Sequence, residues 1–391
     1  MQPVVICAAK RTPIGSFQGS LSKISATDLG AVAIGSLSAS VGFDPSAVDE
    51  VVFGCVLAAG LGQAPARQAS IGAGLSDSIP ATTINKMCGS GMKAVMLVHD
   101  RLALGHADMA IAGGMESMTN APYLIPKLRS GARLGHAGAA DHMFLDGLED
   151  AYEKGRLMGT FAEDCASSFR FSREDQDDYS LRSLQRALQA QRSGAFAAEI
   201  EDVIDSRNGE VVLSVDEQPQ FANPERVRML KPAFRPDGTV TAANSSSISD
   251  GAAALLIATE GFAESNGLPT RARIVGHATA AGKPALFTTA PALAAKKLLQ
   301  LVDWSAADVG LWEVNEAFAV VAMAFARLVQ VPQDRMNVNG GACSLGHPIG
   351  ASGARILVTL LHAMEANNIK RGVAAICIGG GEATALAVER P

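Results

Sequence analysis

Three segments lying before residue 118 recur in the same order towards the C-terminal end, and this duplication limits the possible folds more than any other feature. Asp49 to Gly54 (DEVVFG) resembles Val309 to Val314 (VGLWEV). Ile84 to Met92 (INKMCGSGM) has a counterpart in Val338 to Gly346 (VNGGACSLG), and Ala110 to Ser117 (AIAGGMES) in Ala375 to Glu382 (AICIGGGE). Two related halves follow. Around these segments short Val/Ile-rich runs alternate with longer Ala/Leu/Gly-rich helical stretches, the pattern of an α/β protein whose central strands are covered on both faces. A chain of 391 residues, 48% of them hydrophobic, exceeds one ordinary core and predicts two or three domains.

From about 118 to 248 the chain turns more polar and richer in Gly, Pro and charge, as an inserted surface region does. One helix is legible in it. Ser172 caps the start, Asp175 suits the positive first turn, Leu181, Leu184 and Leu188 form an apolar stripe, and Gly194 ends it.

Thirty-three basic against 39 acidic residues give a net charge of −6, which argues against nucleic acid or an anionic membrane as the main partner. The longest apolar stretches, such as Ala317 to Ala326, fall short of the roughly 20 residues that span a bilayer. Six cysteines, at 7, 55, 88, 165, 343 and 377, have neither disulfide-scaffold nor zinc-ligand spacing, so a reducing compartment is expected. The strand-like start, Pro3 to Ala9, carries no basic-then-apolar signal, and a cytoplasmic protein is expected. Gly60 to Pro65 (GLGQAP) lacks the third small residue of a dinucleotide fingerprint, and there is no G-K-[ST] phosphate loop. Neither a redox cofactor nor a metal is expected.

Four segments can carry chemistry. Cys88 sits where a β-branched run (Thr82 to Ile84) breaks at small residues and continues as an apolar helix, and a helix N-terminus favours a thiolate below the usual pKa of about 8.5. A lone cysteine is more often simply core. His347 lies in a glycine-dense turn (NVNGGACSLGHPIGASGARI, 337 to 356) and is followed by Pro348, which restricts its backbone, whereas the other six histidines have ordinary helix or loop contexts. His347 could serve as the base that activates Cys88. Cys377 ends a strand that runs into Gly379, Gly380 and Gly381, whose N–H groups could hold an oxyanion. Two sulfurs permit one to carry an acyl group while the other moves a proton at carbon. Asn315, in WEVNEAFA (312 to 319), could orient a water or serve equally as a helix N-cap.

These segments, in this order, resemble the thiolases over essentially the whole chain: C-x-S at Cys88, N-E-A-F at Asn315 to Phe318, G-H-P at Gly346 to Pro348, and C-x-G at Cys377 to Gly379. The resemblance implies the thiolase fold, a duplicated five-layered αβαβα core with an inserted loop domain. It divides the chain into a first half (1–117 with 249–269), a loop domain over the coenzyme (118–248) and a second half (270–391). It implies that Cys88 is the acylated nucleophile, His347 its activator and Cys377 the acid/base at the α-carbon. One oxyanion hole would come from His347 with a water on Asn315, the other from the N–H groups of Cys88 and Gly379. For coenzyme A it points to Leu148, Met158, Arg226, Phe234, Ala242, Ser246 and Ile248, with Ala317 and Phe318 completing a pantetheine tunnel. Arg228 or Lys231 could take the place of Arg226 at a phosphate.

The stretches 82–86 and 114–118, the WEV before Asn315, and Phe287 resemble the acetoacetyl-CoA branch, including potassium-responsive members that accept 2-methylated substrates. Leu157, where short-chain members carry His, and Pro219, where the potassium-binding type has Tyr, depart from that pattern. The expected substrates are acetyl-CoA, acetoacetyl-CoA and free CoA, and the alternative is a degradative 3-ketoacyl-CoA thiolase of broader range. Ketoacyl synthases share the fold, but they use one cysteine, against which Cys377 speaks. Pro122 to His142 resembles the loop through which tetrameric members assemble, so a dimer of dimers is expected.

Overall fold

The computed structural model describes residues 2–205 and 207–391. The strands are β1 (Val4–Arg11), β2 (Glu50–Gly54), β3 (Ala81–Ile84), β4 (Met109–Ser117), β5 (Ser249–Thr259), β6 (Ala272–Ala281), β7 (Leu311–Val314), β8 (Arg371–Ile378) and β9 (Glu382–Glu389). They join as β7-β8-β9-β6-β1-β5-β4-β2-β3. Every residue of β4 and β5 is buried, so neither strand has a solvent face, which explains their apolar runs over 109–115 and 251–258, with the polar residues confined to the strand ends. Among the described residues the sheets of the two halves pair at Val5 with Arg273 and Ile6 with Ala272. Outward from that seam the two series match, antiparallel at β1–β5–β4 and β6–β9–β8, then parallel at β4–β2 and β8–β7. The partner of β3 is reduced to a bridge from Trp312 to Met336.

Helices fill five alternating layers with the sheets. Helices α1 (Ala26–Val41) and α2 (Pro65–Gly72) cover the outer face of the first half, through Leu29, Ile34 and Leu37 against Phe53 and Met115. On the far side, α6 (Ala290–Leu301) and α7 (Ala319–Val329) pack Leu298 and Phe325 around Trp312. Between the inner faces lie α3 (Ser90–Ala103) and α8 (Ile349–Ala366), joined by Val95, Val98, Leu357 and Leu360. These two helices touch backbone to backbone in their first turns. A Cβ on Gly91 would lie 2.8 Å from the nitrogen of Ala354, and one on Gly353 would lie 2.5 Å from the nitrogen of Met92. The turns that precede them, which carry Cys88 and His347, are thereby brought side by side.

The inserted region holds two substantial helices where the sequence predicts one. α4 (Met158–Phe169) was hidden by small residues, Gly159, Thr160, Ser167 and Ser168, that dilute its apolar period, and by the lack of a side-chain cap. α5 (Arg173–Ser193) starts at the Ser172–Asp175 capping box and ends at Gly194, at φ 73°. Its buried face is rotated from the leucine stripe, to Gln176, Tyr179, Ser180, Ser183, Ala187 and Ala190, with Leu184 also inside. The cause is a buried carboxylate: Tyr179 and Ser183 each donate to Glu316 at 2.8 Å. Among the described residues no helix is long and apolar enough to cross a membrane.

Candidate active site

A cavity of about 670 Å³ opens where the first turns of α3 and α8 meet the end of β8, and Cys88, His347, Cys377 and Gly379 all line it. So do Leu148, Met158, Phe234, Ala242, Ser246 and Ile248 from the inserted region and its edge, together with Phe287, Ala317 and Phe318. Leu157 lines it too, and Gln218 does so beside the buried Pro219. Asn315 is buried beside His347 and does not line the wall, and Arg226 stands exposed on a short helix (Pro224–Val227) outside the lining.

His347 is 6% exposed and locked on both ring nitrogens. Nδ1 lies 2.5 Å from Ser352 Oγ, and that hydroxyl donates its one proton to the carbonyl of Pro348 at 2.9 Å. Ser352 therefore accepts from Nδ1–H, which leaves Nε2 with its lone pair facing forward. There Asn315 Nδ2 approaches to 3.4 Å. Burial, with Arg355 adding to it, pushes the imidazole down to about 3, so it is neutral and basic at Nε2. Asn315 is not a helix cap: α7 begins at Ala319 with Phe318 before it, and the buried Oδ1 of Asn315 has no partner among the described residues.

Cys88 follows Met87, whose φ of 46° turns the chain sharply, and precedes the helix N-cap Gly89. The expectation of a depressed thiol pKa is overturned. Burial pushes Cys88 up to about 11, with the Glu116 carboxylate adding to it, against the N–H groups of Gly379 and Cys88 itself, which pull it down. Desolvating a thiolate costs more here than a helix end returns. Cys377, 1% exposed, is raised further above the ordinary thiol value by burial and by its neighbour Cys88. At rest the cavity wall holds a neutral imidazole and two neutral thiols, so attack by either sulfur would need its proton taken up as the new bond forms. Alkylation of Cys88 by iodoacetamide, followed by peptide mass spectrometry, is expected to rise steadily from pH 7 to 10 without a plateau. A plateau with its midpoint near pH 7 would mean a pre-formed thiolate.

Three buried or half-buried acids hold these turns, and the sequence did not single them out for that work. Glu116 accepts from the N–H groups of Val56 (3.1 Å), Leu57 (3.0 Å) and Gly350 (2.8 Å), fixing the loop after β2 and the start of α8. Glu382 pairs with Lys86, two residues before Cys88, and so ties the nucleophile turn to the Gly379–Gly381 turn. Glu316, next to Asn315, accepts from Asn337 Nδ2 at 2.8 Å and from the N–H of Cys343 at 3.1 Å. Only position relative to the motifs could have flagged them: Glu316 directly follows Asn315, Glu382 directly follows the three glycines after Cys377, and Ser352 follows His347 by five residues.

Two thiols and an imidazole in the wall of one cavity, on a duplicated αβαβα core, point to an acyltransferase. The thiolase N-terminal domain model matches residues 4–261 and the thiolase C-terminal domain model matches residues 268–390. The chain belongs to the thiolase family. A probable acetyl-CoA acetyltransferase of Dictyostelium discoideum is 47% identical over 392 residues, covering 100% of this chain and 94% of that protein. An acetyl-CoA acetyltransferase of Pseudomonas aeruginosa is also 47% identical, over 393 residues and 100% of both chains. The crystal structure of the Acat5 thiolase from Ascaris suum in complex with coenzyme A superposes with a TM-score of 0.95 at 41% identity, covering 100% of both chains.

Proposed function

We propose that the chain catalyses the reversible condensation of two acetyl-CoA molecules to acetoacetyl-CoA and CoA, through an acetyl group carried on Cys88. The observation that carries this reading is the presence of both Cys88 and Cys377 in the wall of one cavity with His347. In the first half-reaction Cys88 Sγ attacks the thioester carbonyl as its proton passes to His347 Nε2. The carbon–sulfur bond to the coenzyme breaks, and the departing thiolate takes the proton of Cys377. The acetyl-enzyme is left with a thiolate at Cys377 and an imidazolium at His347, two opposite charges that sustain one another in a dry site. In the second half-reaction Cys377 removes an α-proton from a new acetyl-CoA. The carbanion attacks the acetyl carbonyl, and Cys88 leaves as a thiol with the proton held by His347. Thiolysis is the reverse.

Negative charge develops on the two carbonyl oxygens in turn. The N–H groups of Cys88 and Gly379, both directed at the Cys88 sulfur, support one oxyanion site. His347 Nε2, with a water on Asn315, would supply the other. The apolar channel of Leu148, Met158, Phe234 and Phe318 suits a pantetheine arm, with Ala242, Ser246 and Ile248 along it. The exposed Arg226 is assigned to the phosphates beyond the channel. Coenzyme A thioesters are then the substrates, and no separate cofactor enters.

Short acyl groups are favoured by a buried aromatic wall, in which Phe287 packs edge-on against Phe161 (6.2 Å) and Phe318 (6.4 Å). Thiolysis assays should give a kcat/KM for acetoacetyl-CoA at least about tenfold above that for a long-chain 3-ketoacyl-CoA, as a closed pocket discriminates by size. Equal or better use of the long chain would instead support the degradative, broad-range activity. Exposed apolar side chains at Tyr123, Leu128 and Leu134 support assembly into a dimer of dimers, and six unpaired cysteines support a cytoplasmic setting.

A further inference from the structure

Towards the C-terminal end of α3, about 14 Å along its axis from the turn that holds Cys88, two elements bring three metal-type donors together. His99 and Asp100 lie on α3, and His277 stands on β6. His99 Nδ1 is 3.1 Å and His277 Nε2 is 2.8 Å from the same atom, Asp100 Oδ1. The rings meet edge to face, with centroids 5.0 Å apart at 89°, and the three donor atoms lie within 4.8 Å of one another. To hold one ion at roughly 2.0–2.2 Å, the reach of imidazole and carboxylate ligands to zinc, the three donors need only lie within about 4.4 Å of one another, a small closure from the spacing seen. From this juxtaposition we propose that His99, Asp100 and His277 form a binding site for a divalent cation of the zinc class, separate from the catalytic cavity, that fastens α3 to β6.

The chemistry of the donors agrees with such an ion. Two imidazole nitrogens and one carboxylate select zinc, cobalt, nickel or copper over magnesium or calcium, which prefer all-oxygen shells. The histidine side chains are each 16% exposed, which holds their rings in place, while the Asp100 side chain is 50% exposed and free to swing aside as an ion enters. Burial keeps His277 neutral by pushing it below its ordinary value, and the two imidazoles hold Asp100 ionised. A depression of about 480 Å³ adjoins His277, with Lys93 and Lys297 also in its wall. Lys93, on the preceding turns of α3, is the opposing charge at His277, and Lys297 is drawn off to the carbonyl of Thr279 at 3.1 Å.

The catalytic thiols can also take up such ions, so the test has to tell nitrogen and oxygen ligation from sulfur. Chelator-treated full-length protein is titrated with cobalt(II) chloride and followed by absorption. The expected result is one saturable set of visible d–d bands, without the near-ultraviolet charge-transfer band of a cobalt thiolate, that persists in the Cys88→Ser/Cys377→Ser variant. His277→Gln and Asp100→Asn, each separately, should weaken the titration by at least the roughly 10- to 100-fold that loss of even an outer partner costs a metal site. Acyl transfer unchanged in either variant shows that its fold is intact, and one folded variant suffices. The proposal is overturned by the absence of saturable bands, by bands that disappear with the two catalytic sulfurs, or by undiminished binding in a folded His277→Gln or Asp100→Asn protein.

Discussion

Cys88→Ala is expected to leave no acetyl-enzyme and to lower turnover in both directions by on the order of 10⁴- to 10⁶-fold, the scale on which a covalent nucleophile contributes. In the proposed cycle the Cys88 sulfur bonds the acyl group and releases it to a carbanion, and an alanine methyl can do neither. The effect belongs to chemistry and not to folding, because Cys88 is half-buried at a cavity wall and an alanine there disturbs no packed neighbour on all sides. Incubation with acetyl-CoA labelled in the acetyl group, quenching in acid and peptide mapping should find label on residue 88 of the parent chain and none in the variant. Label on Cys377 or Cys343 in the parent would assign the nucleophile elsewhere.

Cys377→Ala should divide the cycle. Acetyl loading on Cys88 is expected to continue, since a coenzyme thiol with a pKa near the free value of about 8.5 leaves without much help from an acid. Condensation and thiolysis should fall by about 10²- to 10⁴-fold, the worth of a positioned proton carrier at carbon. The burst of CoA release on mixing with acetyl-CoA separates the two steps, because it reports loading alone. Equal loss of burst and steady-state rate would contradict the division of labour between the sulfurs.

The duplicated segments made the core legible before any coordinates: β2 and β7, and likewise β4 and β8, are the strands that contain them, and they occupy matching places on either side of the β1–β6 seam. Cys88, His347 and Cys377 could be read as well, because glycine-dense turns mark places where main chain must come close, as Gly91 and Gly353 do here, and the coenzyme-side residues could be read from the thiolase resemblance. What stayed hidden depends on burial, which one-dimensional pattern does not carry. A helix end predicted a lowered thiol at Cys88, yet desolvation outweighs it. The leucine stripe of α5 predicted the wrong face, because Glu316, more than 130 positions away in the chain, draws Tyr179 and Ser183 inward. α4 escaped notice because its small residues fit beneath other side chains: a Cβ on Gly159 would meet the ring of Phe234 at 2.3 Å.

Where α3 crosses α8, peptide groups and not side chains set the separation, since Gly91 and Gly353 bring main chain against main chain. Ordinary interiors absorb thermal agitation by hopping among rotamers, but there is no rotamer to hop at that crossing. The spacing of the two turns that carry Cys88 and His347, across which the proposed proton transfer would run, is therefore gauged by the least adjustable material a polypeptide has.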